Sequence, residues 1–113
     1  MFNTLWNIFF ALVPLAISPE AKAEVQKLID SNTTMMFSKS YCPYCKASKK
    51  LLNETGVDYK VVELDKIDKG LEMQGAIKEK WGQTTVPAIF FKGDLIGGNS
   101  DLQSLKNTPK WPF

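Results

Sequence analysis

The sequence predicts a single α/β domain, and three observations predict it. Between residues 34 and 65 a short apolar run, an amphipathic stretch and a β-branched run follow one another, and a strand–helix–strand order in so little chain requires a right-handed crossover with parallel pairing. Residues 87–98, "PAIFFKGDLIGG", place Lys-Gly-Asp between two apolar segments, the signature of a β-hairpin. Helical patterns precede the first strand and follow the last, so the expected order is αβαβαββα, with no linker or repeat to divide it. At 113 residues the chain is long enough to bury one continuous core.

Each element has a local reason. Ser18-Pro19-Glu20 reads as an N-cap, a proline at the first helical position and an acid near the positive end of the helix dipole. Val25, Leu28 and Ile29 then form an apolar stripe that "DSNTT" ends. "TMMFS" (34–38) suits a buried strand and "DYKVVELD" (58–65) a second. Between them a helix opens near Pro43 and closes at Gly56, a natural C-cap. Another helix is expected from Ile67 to Trp81, ending at Gly82. "NSDLQSLKN" makes a last short helix, capped by Asn99 or Ser100.

Composition removes several function classes. The 14 basic residues are all lysines, against 12 acids, for a net charge of +2, which does not suggest a nucleic-acid partner. With no arginine there is no bidentate guanidinium clamp on phosphate. With no histidine, His-dependent triads and His-ligated metal sites are excluded. Two cysteines cannot frame a disulfide-rich scaffold or supply four thiolates to a zinc ion, so no metal is expected.

Those two cysteines, Cys42 and Cys45, lie in "FSKSYCPYC". A helix beginning at Pro43 puts Cys42 at its N-terminal end, where free amides and the dipole favour the thiolate, and Lys39 adds a nearby cation. Cys45 sits close to one turn further on, within the reach of a disulfide. Cys42 is expected to be the exposed nucleophile and Cys45 the more buried resolving thiol. A metal clip needs partners the chain lacks, and a disulfide closing so short a loop would constrain the unfolded chain little. Redox chemistry remains. Lys46, Lys49 and Lys50 read as a solvated helix face that adds positive field near Cys42.

Three motifs in order, Lys39-Ser40-Tyr41-Cys42-Pro43-Tyr44-Cys45, Thr85-Val86-Pro87 and Gly97-Gly98 followed by Asn99-Ser100-Asp101-Leu102, give a sequence that resembles a dithiol glutaredoxin over about residues 20–106. The resemblance implies a thioredoxin-like fold, a four-stranded mixed sheet flanked by helices, with Pro87 cis and facing the cysteines. By itself Thr85-Val86-Pro87 would read as a strand-entry turn.

The resemblance also implies an activity: reduction of glutathione mixed disulfides by Cys42 alone, and of protein disulfides by Cys42 with Cys45. Glutathione would be co-substrate, and glutathionylated proteins and protein disulfides the partners of a monomer. Lys39 and Gln74 would hold the glycine carboxylate, and Thr85, Val86 and Pro87 the cysteinyl backbone. Gly98 with the amides of Ser100 and Asp101 would take the γ-glutamyl end, and Tyr44 would line the thiol cleft. From its own residue type Gln74 is equally a solvated helix position. The rival from another class is a dimer sharing a glutathione-ligated [2Fe–2S] cluster, which Pro43 disfavours in this family. Two departures stand out. Thr84 occupies a place that is often basic in the family, which implies weaker glutathione binding, and "NTPKWPF" replaces a further helix, as an apolar tail that packs back or a frayed end.

Residues 1–18 carry no charged side chain, and every charge falls after them. The run Leu5–Ile17 has the length of a signal-peptide h-region but lacks preceding basic residues, so residues 1–18 read as either a targeting segment or an extra N-terminal arm ahead of the 19–113 domain. The expected location is accordingly the cytoplasm or the secretory pathway, with a membrane as partner only if the segment is retained. Asn32-Thr33-Thr34 and Asn53-Glu54-Thr55 match the glycosylation triplet, a weak signal.

Overall fold

The computed structural model describes residues 17–113; of the segment 1–18, read as a targeting segment or arm, residues 1–16 lie outside them. Helix α1 spans Pro19–Ser31, strand β1 Thr34–Ser38, helix α2 Pro43–Glu54 and strand β2 Lys60–Glu63. A 3-10 turn over Leu64–Lys66 leads to α3, Gly70–Trp81; β3 (Ala88–Phe91), β4 (Asp94–Gly97) and α4 (Asn99–Leu105) follow. The expected order αβαβαββα holds.

The strands form one sheet in the order β2-β1-β3-β4. Strand β1 pairs parallel with β2, Met36 facing Val61, and antiparallel with β3, Met36 facing Ile89. The β3–β4 hairpin turns through Lys92 and Gly93, both at positive φ (51° and 87°), which a tight two-residue hairpin turn requires. This is the mixed sheet that the sequence leads one to expect.

Side-chain alternation along β1 and β3 divides the core in two. Met35, Phe37, Ala88 and Phe90 face α1 and α3, where they meet Val25, Ile29, Met73 and Ile77. Met36 and Ile89 face the opposite way, onto Leu51 and Leu52 of α2 and Leu102 of α4. Each of these side chains is essentially solvent-free, a burial that contributes about 1.5–3 kcal/mol for each one larger than alanine. Phe90 is central to the first layer, edge-on to Phe37 at 5.8 Å and to Trp81 at 4.9 Å.

The N-cap at Ser18 is present, its Oγ accepting from the Ala21 amide at 3.1 Å. The Ser18 amide donates to Glu72 Oε1 at 2.8 Å, tying the start of α1 to α3 and holding the Glu72 carboxyl below the ordinary carboxylate range. Ile17 packs on the first core layer. Among the described residues no helix is long and apolar enough to cross a membrane.

Three details differ from expectation. Strand β2 covers only residues 60–63 of the expected 58–65, because β1 offers partners only from Met35 to Ser38 and the chain then turns inward to bury Leu64. Helix α3 starts at Gly70 instead of Ile67, since Gly70 lies so close to the Leu64 carbonyl that a Cβ would collide with it. Lys49 is not part of a solvated face: its Nζ lies 3.0 Å from Glu63 Oε1 and binds α2 to β2. At the end of the chain the packed tail, one of the two expected alternatives, is what forms, with Phe113 edge-on to Phe91 and to Trp111, each at 5.0 Å.

Phe90→Ala should lower unfolding free energy by about 3–5 kcal/mol through the cavity it leaves. Leu71→Ala, at a side chain 67% exposed, should change it by less than about 0.5 kcal/mol. Guanidinium denaturation at unchanged slope compares the two.

Candidate functional site

Proline decides where α2 begins. Pro43 has no N–H to contribute to the helix, so it occupies the first helical position and leaves Cys42 as the cap, in extended conformation (φ −84°, ψ 120°). Cys42 Sγ then lies 3.4 Å from the Cys45 amide, as the acceptor of a hydrogen bond that the helix itself cannot satisfy. The Cys42 amide donates to the Lys39 carbonyl at 3.1 Å, and the Cys42 carbonyl accepts the first helical bond, from the Lys46 amide, at 3.1 Å.

From the other side comes the loop between α3 and β3. The Val86–Pro87 bond is cis, and the Val86 carbonyl oxygen stands 3.8 Å from Cys42 Sγ. The nucleophile candidate is thus enclosed between the mouth of α2 and the entry to β3. Cys42 is 9% exposed and Cys45 fully covered, so of the two sulfurs Cys42 is the one nearer the surface. The expected ranking of the two sulfurs holds, but Cys42 is less open than its reading as an exposed nucleophile suggested: as a cap it is flanked by the 39–41 loop and by Val86. Both are free thiols here. Burial pushes the Cys45 thiol above its ordinary value; the Ser38 hydroxyl and the Lys39 main chain draw it partly back, and Cys42 pushes it further up.

The remaining site residues surround this centre unevenly. Lys39 is half-buried beside Cys42, whereas Tyr44 is 66% exposed on the first turn of α2. Thr85 is exposed, and the Thr85 and Pro87 carbonyls accept from Gln83 Nε2 at 3.2 and 3.4 Å. Gly98 stands against the same group, since a Cβ there would be 3.3 Å from Gln83 Nε2 and 3.6 Å from the Pro87 carbonyl oxygen. Gln74 is half-buried on α3, and no hydrogen bond links Tyr44, Gln74 or Ser100 to the cysteines. Thr84 is exposed and supplies no cation.

At the start of α4 the expected cap moves. Gly98 is the cap in place of Asn99 or Ser100; its amide donates to Asp101 Oδ2 at 3.0 Å, and its carbonyl accepts from the Leu102 amide at 3.1 Å. A Cβ on Gly97, at φ 128°, would strike the Asp101 carboxylate, so the close approach that glycine permits here is that of the chain's own side chain. Asn99 is drawn away from capping because its Oδ1 accepts from the buried Ser48 hydroxyl at 2.8 Å, which pins α4 to α2 one turn past Cys45.

Residues that the sequence alone did not single out also shape the site. Asp65 accepts from the Ser40 amide at 2.9 Å and from the Ser40 hydroxyl in a short hydrogen bond, which holds its carboxyl below the ordinary range. Gln83 braces the cis-proline turn, and Ser38 faces Cys45. Only the Ser38 side could be read from strand alternation; Asp65 and Ser40 lie 25 positions apart, with no pattern connecting them. Among the described residues no group of three or more Cys, Asp or Glu could hold a metal ion. A concavity of about 660 Å³ lined by Asn32, Gly56, Tyr59 and Phe113 includes neither cysteine. Cys42 lies instead beside the Val86 carbonyl, outside that concavity.

Known proteins share this arrangement. A family model described as Glutaredoxin matches residues 34–96. Glutaredoxin-2 of Schizosaccharomyces pombe is 50% identical over 88 residues, 78% of this chain and 80% of that protein. The crystal structure of a buckwheat glutaredoxin–glutathione complex superposes with a TM-score of 0.79 at 37% identity, covering 81% of this chain and 84% of that one. The holo form of glutaredoxin C1 from Populus tremula x tremuloides gives a TM-score of 0.74 at 38% identity, covering 76% and 85%. With its sheet, its cis-proline turn and its paired cysteines accounted for, the chain belongs to the glutaredoxin family and has the thioredoxin-like fold of those structures.

Proposed function

We propose that this oxidoreductase depends on glutathione and works by two routes. The observation that carries the reading is the placement of Cys42 Sγ between the Cys45 amide and the Val86 carbonyl: an acceptor sulfur at a helix mouth, beside a main-chain edge. In the one-thiol route the Cys42 thiolate attacks the glutathione sulfur of a mixed disulfide. The new bond joins Cys42 to glutathione, and the substrate leaves as a thiolate. A second glutathione thiolate then attacks the glutathione sulfur on Cys42, releasing oxidised glutathione and restoring the Cys42 thiolate. In the two-thiol route Cys42 attacks a protein disulfide and expels one substrate thiolate. Cys45 then attacks Cys42 Sγ, expelling the other and leaving a Cys42–Cys45 disulfide for two glutathione molecules to reduce.

The surroundings suit a small peptide with two carboxylates. Lys39 and Gln74 are assigned to its glycine carboxylate. The Val86 main chain, with Thr85 and Pro87 on either side, pairs with its cysteinyl residue, and Tyr44 lies along the cleft. Gly98 and the amides of Ser100 and Asp101 face its γ-glutamyl end; helical bonding in α4 starts at the Leu102 amide, which leaves those two amides without a helical acceptor. The buckwheat relative's complex with glutathione supports glutathione as the ligand. With Thr84 in place of a basic residue, affinity for glutathione is expected to be modest.

Cys42→Ser should abolish turnover of a small glutathione mixed disulfide, whereas Cys45→Ser should keep a large part of it while losing protein-disulfide reduction. Equal loss from both would overturn the one-thiol route; a glutathione-coupled assay with each variant decides. The raised Cys45 thiol has a pH consequence of definite sign. Because burial favours its protonated form, resolution of a Cys42 mixed disulfide by Cys45 should accelerate as pH rises from 7 well into the alkaline range. Rapid-quench kinetics with a Cys42-linked reporter thiol would show this slope, and a flat profile over that range would contradict it.

A further inference from the structure

The segment that leaves β1 at Ser38 and reaches α2 through Lys39 and Ser40 is tied to the Cys42 cap. Its Lys39 carbonyl accepts from the Cys42 amide at 3.1 Å, and Cys42 Sγ in turn accepts from the Cys45 amide at 3.4 Å. Ser38 is anchored by β1, but the chain beyond it leaves the sheet, so Lys39 and Ser40 have no strand partner. Asp65 supplies the missing anchor. One of its carboxylate oxygens takes the Ser40 amide at 2.9 Å and the other takes the Ser40 hydroxyl, from a 3-10 turn on the far side of β2.

Such a clamp has little to do with holding the fold. Asp65 is exposed and adds nothing to either core layer. Its only effect on the site passes through Ser40, two residues before Cys42. We propose that Asp65 is a positioning residue for the Cys42–Cys45 couple: by clamping Ser40 it keeps the Lys39 carbonyl at the Cys42 amide, and with it Cys42 Sγ at the Cys45 amide, and so favours the dithiol over the disulfide. The inference rests on the redox reading above and adds a residue that sets its equilibrium.

The direction follows from which state the donors serve. A hydrogen bond to a thiol or thiolate sulfur stabilises the reduced form, and a couple whose reduced form is stabilised is the stronger oxidant. In the reaction concerned, the Cys42–Cys45 bond is cleaved, two external thiols are oxidised to one disulfide, and their two electrons and two protons pass to the pair. Loosening the clamp should pull that equilibrium back toward the Cys42–Cys45 disulfide.

The experiment equilibrates the full chain and its Asp65→Ala, Ser40→Ala, Ser40→Thr and Asp68→Ala variants against two redox buffers, glutathione and dithiothreitol, and counts free thiols. Asp65→Ala is expected to shift the equilibrium toward the disulfide by about threefold to tenfold, the size of effect expected from hydrogen bonds to an exposed carboxylate. Ser40→Ala, which keeps the amide bond, should shift it less, and Ser40→Thr, which keeps the hydroxyl, should match the parent. Asp68→Ala, the loss of a neighbouring exposed acid, should also match it. Asp65→Ala equal to the parent in dithiothreitol, or Asp68→Ala shifted as far, overturns the role of Asp65. A parent chain that equilibrates with dithiothreitol but not with glutathione overturns the glutathione reading while leaving the clamp measurable.

Discussion

The redox site depends above all on where α2 begins. Proline cannot supply an amide to the helix and disfavours helical backbone in the residue before it, so Pro43 confines the helix start to one position and makes Cys42 the cap. A cap side chain reaches forward over the first turn, and in this chain the atom that reaches is sulfur, met by the Cys45 amide. The same one-turn spacing that brings this amide to Cys42 sends the Cys45 side chain inward, where it is fully covered. One thiol keeps some access to solvent and the other has none.

The sheet does the rest of the positioning. Strand β1 alternates its side chains between two core layers, Met35 and Phe37 to one side and Met36 to the other, so Ser38 continues on the α2 side, where it meets Cys45. Strand β3 lies against β1, and its entry through the cis Val86–Pro87 bond delivers a carbonyl to within 3.8 Å of the Cys42 sulfur. Three polar ties fix the surrounding pieces: Asn99 to Ser48 between α4 and α2, Lys49 to Glu63 between α2 and β2, and Asp65 to Ser40 beneath the cysteine loop. They lie at the boundaries between elements, where apolar packing leaves some freedom of position.

Much of this was legible in the residues. Ser18-Pro19 and Pro43 marked two helix starts correctly because capping and proline geometry are local, and Lys92-Gly93 marked the hairpin for the same reason. The start of α3 at Gly70 is not legible in the sequence, because the close approach of Gly70 to the Leu64 carbonyl joins residues that no periodicity connects. Asn99 was taken for a cap on its residue type, but a partner 51 positions earlier claims its side chain. Lys49 looked solvated on a helical wheel that cannot display Glu63.

By itself, the sequence determined which chemistry the chain has available: paired thiols one turn apart, no imidazole, no guanidinium, and a helix mouth at the first thiol. It determined the element order as well, since caps, turns and hydrophobic alternation are written into neighbouring residues. Only the tertiary structure decided what stands against those thiols, namely the Val86 carbonyl, the Ser38 hydroxyl and the loop held by Asp65. The reason is physical: local preferences act over a turn or two of chain, whereas the groups that enclose Cys42 and Cys45 are brought together by burial of a core to which distant segments contribute jointly.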